Sequence, residues 1–181
     1  MNIRVVSALT LLVAITTANL VAGTRAAILE GGSAQDTALR EAALFRNIEA
    51  VKAALKKNAN VNAPSSTGRP ITPLGAAAMG RWRLGRDRNA DLAKNETARK
   101  LSQGEFSDDE IEKYLAVEIT KLLFASGARL GPFDRGILFD PIANGNETLV
   151  GLLIDYGASV TDKIEGSSPT ELAKTYDKDA I

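Results

Sequence analysis

The sequence predicts an all-α protein: a short solenoid of helix-turn-helix repeats with short hairpin loops, about three to four units long, with a long insertion in the second. Three observations predict it. Apolar residues recur at three- and four-residue steps in several segments, which puts one face of each helix against a core. Three of those segments close on the same kind of ending: Asn58-Ala59-Asn60-Val61, Gly127-Ala128-Arg129-Leu130 and Gly157-Ala158-Ser159-Val160. A Thr- or Ser-containing start followed by paired small residues lies upstream of the helices, in Thr37–Ala43 and Thr72–Ala78, with a weaker copy in Ser168–Ala173.

Residues 1–23 are set apart as an address. Arg4 supplies a positive start, Val5 to Ile15 is an uncharged run, and Val21-Ala22-Gly23 offers a cleavage site, with Thr24-Arg25-Ala26 as a second. This is the layout of a secretory signal peptide. The alternative is an uncleaved anchor, although Ser7, Thr10, Thr16, Thr17 and Asn19 dilute the run. Residues 24–35 read as a linker, and residues 36–181 as the helical domain.

Within the domain, the first pair is Thr37–Ala43 and Ile48–Leu55. The helix then ends on Asn58, a residue that tolerates the left-handed conformation. The second pair opens at Thr72-Pro73, where the hydroxyl caps the helix and proline at its first position loses no hydrogen bond. Its first helix is expected to end near Arg81 and its second to resume near Ala116. The residues between, about 82–115, form the insertion; a loop of that length is usually functional or disordered. Its first half, Arg81 to Arg88, is basic and holds the only tryptophan, Trp82. A short helix fits within Asp91–Leu101. Ser107-Asp108-Asp109-Glu110 then has the form of a capping box with acids at the positive helix end, so the second helix is expected to start early, at Asp108. The third pair spans Gly136 to Thr161, turning at Asn144-Gly145-Asn146. A weak fourth copy starts at Ser168-Pro169.

These positions resemble the ankyrin repeat family, whose pattern runs T-P-L-H-x-A-A, G-H, a second helix, then G-A-D-V-N. Thr37 to Thr72 is 35 residues, near the family period of about 33. The resemblance covers about residues 36–181 outside the insertion. The family histidine is replaced by Arg40, Gly75, Phe139 and Glu171, and the third copy carries Asp140-Pro141 where alanine is expected. The resemblance implies that partners bind on the concave side, at hairpin tips and the exposed face of each first helix. Carried over by position, those sites are Leu44 and Phe45, Met79 and Gly80, and Ala143 and Asn144, with tips at Ser65–Arg69 and Pro132–Arg135. The candidate partner-binding residues are therefore Phe45, Arg69, Met79, Phe133 and Arg135. The insertion adds Trp82, Arg83 and Arg86, since Trp and Arg anchor many interfaces. Phe45 has an alternative role under the N-terminal cap, and the basic run an alternative role as a solvated loop.

Composition narrows the chemistry. A 45% hydrophobic and 24% charged chain can bury a core and is not wholesale disordered. Lys+Arg and Asp+Glu are both 22, so no global field holds the chain on nucleic acid, and no nucleic-acid partner is expected. There is no histidine and no cysteine. No zinc or copper site, other metal or cofactor is expected, and triads built on Ser-His or Cys-His cannot form. No catalytic residue is nominated. The expectation is a periplasmic or secreted, non-catalytic protein that binds another protein, free of the membrane once the signal is cleaved. A sharper form makes it an immunity protein or inhibitor of a toxin or enzyme; a third class is a structural or envelope-stress factor. Partner identity and oligomeric state stay open. Two N-x-T triplets, at Asn95 and Asn146, are acceptors for glycosylation in a eukaryotic secretory pathway.

Overall fold

The computed structural model of the chain describes residues 32–66, 70–79, 95–104 and 106–176. The expected signal peptide, Gly80 and the basic half of the insertion lie outside the described residues. Among the described residues there are eight α-helices and no strand; the one β-type contact is an isolated bridge between Ile164 and Ser167. The protein is all-α.

The helices are α1 (Ala34–Leu44), α2 (Ile48–Lys56), α3 (Pro73–Ala78), α4 (Glu96–Leu101), α5 (Asp108–Ala125), α6 (Phe139–Ala143), α7 (Glu147–Asp155) and α8 (Pro169–Thr175), with a 3-10 turn at Pro132–Asp134. Packing follows chain order: α1 lies on α2 and α3, α3 on α5, α5 on α7, α7 on α6, and α6 on α8. One apolar core runs through them. Leu39, Val51, Leu74, Ile119, Leu123, Leu138, Val150 and Leu153 are all at most 1% exposed within it. The small faces Ala42-Ala43 and Ala76-Ala77-Ala78 are buried too, so neighbouring backbones approach closely.

The helix endings recur as geometry. The amides of Ala59, Ala128 and Ala158 donate to the carbonyls of Ala54, Leu123 and Leu153 at 3.2, 3.0 and 2.9 Å. Each bond closes over a left-handed residue: Asn58 (φ 59°), Gly127 (φ 89°) and Gly157 (φ 94°). This is how a helix satisfies its last carbonyls while turning the chain away.

Helix starts agree less uniformly with the sequence reading. Thr72 caps α3 and Ser168 caps α8, each followed by proline. Thr37, however, lies inside α1, which begins at Ala34. Ser33 and Asp36 form a reciprocal capping box there, and the Thr37 hydroxyl accepts from Arg40 at 3.1 Å instead. The first helix of the second pair stops at Ala78, short of Arg81; Met79 is already extended (φ −63°, ψ 129°).

The described part of the insertion is folded. Ser107 and Glu110 make the expected capping box, and α5 runs unbroken from Asp108 into the second pair. The helix expected within Asp91–Leu101 is Glu96–Leu101, capped by Asn95. Ala98 in α4 meets Ile111 and Leu115 in α5, with Leu101 against them, in a small apolar cluster of its own. Asn95 then ties this unit back to the turn between α1 and α2 by donating its side-chain amide to the Arg46 carbonyl. The Thr97 hydroxyl donates to the Glu49 carboxylate on α2.

Candidate functional site

Polar side chains buried between the helices set the geometry around which a site forms. Arg40 is fully buried and donates to the Ala63 carbonyl at 2.9 Å, which pins the chain leaving α2 to α1. Arg46, in the turn after α1, is held left-handed at φ 59° and is 2% exposed. Its guanidinium donates to Ala43, Ala76 and Met79 carbonyls at 3.0, 3.4 and 2.8 Å, and lies 3.9 Å from the Glu112 carboxylate. A cation at the C-terminal end of α3 satisfies carbonyls that the helix itself leaves unpaired. Arg46 thus joins the first pair, the end of α3 and the extension of α5.

The 3-10 turn is fixed similarly. Asp134 is 6% exposed; its carboxylate accepts from the Gly131 amide at 2.8 Å and from the Thr72 hydroxyl that caps α3. Burial raises the Asp134 carboxyl above the usual range, against the lowering effect of those two bonds. Gly136 follows at φ 78°, and a Cβ there would sit 3.1 Å from Ile164 Cγ1, so the chain beyond α7 closes directly over it. Ile164 and Ser167 exchange backbone bonds at 2.9 and 3.1 Å across Glu165 and Gly166. Both central residues have positive φ, 53° and 89°, the geometry of a tight two-residue turn.

Between these pieces lies an open groove of about 190 Å³. Its walls are the end of α3, the 3-10 turn, the start of α6 and the 164–167 turn; Ile71, Met79, Phe133, Phe139 and Ile164 give it apolar character. Phe133 is 48% exposed, a large apolar side chain left in solvent on a short turn. Such exposure at a concave surface with a few polar groups is the usual form of a binding site. A second space, of about 30 Å³ beside Arg46, Glu112 and Asn146, has room for little more than a water.

The groove brings together Met79, Phe133 and Arg135, three of the residues nominated from sequence. Phe45 is placed elsewhere: it is 9% exposed and packs in the main core, and so offers a partner almost no surface. It caps the C-terminal end of α1, where its amide donates back to Glu41, and its ring turns inward against the helix pair. Arg69, Trp82, Arg83 and Arg86 lie outside the described residues. Ser65, expected at an exposed tip, is buried, its hydroxyl accepting from the Ile71 amide at 2.9 Å.

Sequence reasoning missed Asp134, Ile164 and Glu165 in the groove. The first was legible as the third residue after Gly131, where a carboxylate can cap a tight turn. The Glu-Gly pair between Ile164 and Ser167 carried the signal of a two-residue turn. The two glycosylation triplets have structural roles instead. Asn95 is 1% exposed and caps α4. Asn146 is 7% exposed; it caps α7 and donates to the Lys113 carbonyl at 3.1 Å. In the folded chain both amides are committed and out of reach of a modifying enzyme.

Among the described residues, no group of His, Cys, Asp and Glu is placed to hold a metal ion, and no helix is long and apolar enough to cross a membrane. No known family model matches this chain, and no curated protein matches it.

Proposed function

We propose that this chain is an exported, ankyrin-repeat-like protein that binds another protein and catalyses nothing. Three lines support the reading. The family's start and end motifs recur along the chain, and their endings share one hydrogen-bond geometry over a left-handed residue. Packing runs between helices no more than three places apart in chain order, as expected of a repeat array. Residues 1–23 have the layout of an export signal. The observation that carries the binding role is the groove, which gathers Met79, Phe133 and Arg135 and leaves the Phe133 ring exposed. Without histidine or cysteine, the chain has a narrow choice of catalytic groups. A sharper form of the same proposal is an immunity protein or inhibitor, which would use the groove to occupy a toxin or enzyme.

The test is affinity capture with the mature chain from the compartment to which it is exported, run beside a Phe133→Ser, Met79→Ser double variant. The expected result is one stoichiometric protein retained by the wild type and lost from the variant. Capture of no stoichiometric protein, or equal capture by both chains, would falsify the binding role of this groove.

A further inference from the structure

Away from the groove, the second helices of the first two pairs carry a charge pattern that the balanced composition hides. α2 and α5 pack together and end alike, on Asn58 and Gly127 in the left-handed conformation. The Asn62 side chain locks the two exits to each other: its amide donates to the Gly127 carbonyl at 3.2 Å, and its oxygen accepts from the Arg129 amide at 2.8 Å. Equal endings put the helices in register, so Lys52 and Lys121, six residues before each ending, hold equivalent positions. Lys56 and Lys57 close α2 at the edge where Arg129 leaves α5. All five residues are exposed. Lys121 is taken up by Glu118 at 2.8 Å. Lys52, Lys56, Lys57 and Arg129 are in no ion pair among the described residues. The acids that share their side of the helices are Glu49, which accepts from the Thr97 hydroxyl near the start of α2, and Asp155, at the end of α7. The negative end of α2 accounts for Lys56 and Lys57, but not for Lys52, a turn earlier, or Arg129, past the end of α5. Tyr156, which ends α7, continues the edge. It is 55% exposed, its ring held flat on Phe124 of α5 at 3.7 Å between centroids.

We propose that this edge of α2 and α5 is a docking surface for a membrane rich in anionic phospholipid, to which the mature chain binds peripherally. The chemistry selects lipid over other polyanions. Three of the four unpaired cations are lysines, and lysine is a compact, hydrated charge that meets a phosphate without fixed geometry. Protein interfaces are depleted in lysine and rely on Arg and aromatic anchors seated in pockets. Here the cations stand on open ground: a Cβ added at Gly127 or Gly157 would meet nothing within 4 Å. Lipid headgroups move laterally and gather under such a set of charges, and tyrosine suits the boundary between headgroups and water. A few cations without an acyl chain or a spanning helix give weak, reversible attachment. A chain released from its signal would therefore return to the membrane and leave it again. The groove, built from first helices and turns, takes no part.

The experiment is co-sedimentation of the mature chain with vesicles of phosphatidylcholine alone, and of phosphatidylcholine mixed equally with phosphatidylglycerol. Binding is expected to the mixed vesicles only, and to fade as salt is raised. Each cation near an anionic surface strengthens partitioning roughly fivefold, so the Lys52→Gln, Lys56→Gln pair should weaken it by about twenty-five-fold. The Lys57→Gln, Arg129→Gln pair should do the same, and either pair carries the test if circular dichroism shows the other unfolded. Phe133→Ser should bind vesicles as the wild type does, which separates this surface from the groove. Lys174→Gln, exposed on α8, should also bind unchanged. Equal binding to both vesicle types overturns the proposal, as does a loss in Lys174→Gln as large as in the pairs, which would make net charge the cause. Retention of a polyglutamate peptide or a DNA duplex with no retention of mixed vesicles overturns it too, and hands the edge to a protein or a nucleic acid.

Discussion

Asp36 and Asp134 are two buried aspartates in similar cap positions, and their surroundings push them in opposite directions. At Asp36 burial works against the charge, but the Ser33 and Asn60 amides, the Ser33 hydroxyl and the Arg40 guanidinium outweigh it, and the carboxyl lies below its ordinary value. At Asp134 burial wins over the Thr72 and Gly131 bonds, and the carboxyl lies above it. The linkage therefore has two signs. Asp36 contributes stability that is present above the unfolded-state pKa of about 3.9 and is lost as pH falls through its lower folded value. Asp134 contributes stability that is present below that unfolded value and is lost as pH rises through its higher folded value. Denaturant melts across acid to neutral pH should show the deficit of Asp36→Asn growing with pH and the deficit of Asp134→Asn shrinking. Parallel deficits would contradict the assignment. Little of this was legible beforehand. Arg40 stood out only as a replacement for a family histidine, and its contact with the Ala63 carbonyl joins residues 23 positions apart. Arg46 gave no signal at all, because a polar residue in a turn reads as solvated and only the packing of α3 and α5 shows that it is buried.

At the scale of elements, periodicity and end signals located most helices because the same residues that bury a face also end it. The long α5 was readable from Ser107 and Glu110, whose capping geometry is local. The ends of α1 and α3 were not, since Ser33 competed with Thr37 as a cap and the extended Met79 follows from contacts with Arg46. Two glycines separate local conformation from packing. Gly151 lies inside α7, and a methyl added there would meet nothing within 4 Å, so Gly151→Ala should stabilise the chain by roughly 0.5–1 kcal/mol. Gly136→Ala should instead destabilise it by about 1–3 kcal/mol, because the residue is left-handed and its methyl would press on Ile164. Thermal melts of the two variants check the pair, and a stabilising Gly136→Ala would contradict the close approach. The insertion supplies the third case. Asn95→Ala removes both the cap of α4 and the bond to the Arg46 carbonyl. Hydrogen exchange should then rise by about tenfold or more in α4, for a lost contact of about 1–2 kcal/mol, with α7 unchanged. Equal exchange throughout would mean that the insertion is not held through Asn95.

For the whole molecule, the groove depends on contacts distant in sequence. Thr72 meets Asp134, Gly136 meets Ile164, and the Glu165 turn closes the mouth. Position in a resembled family was enough to nominate Met79, Phe133 and Arg135, because hairpin tips and first-helix ends fall at fixed offsets from the capping residues. It failed for Phe45, the positional counterpart of Gly80, because the phenylalanine ring turns into the core at the N-terminal pair. Glu165 could not be nominated that way, since it comes from the turn between α7 and α8, while Asp134 fell within the nominated tip and was passed over as a polar turn residue. The central claim is that this surface, built by the second and third helix pairs and the turn beyond α7, is where a protein partner sits. Hydrogen–deuterium exchange of the full mature chain, with and without its captured partner, tests it most directly. New protection is expected in residues 70–79, 133–140 and 164–167, with the outer faces of α2, α5 and α7 unaffected. Protection confined to those outer faces, with the groove exchanging as in the free chain, would contradict it.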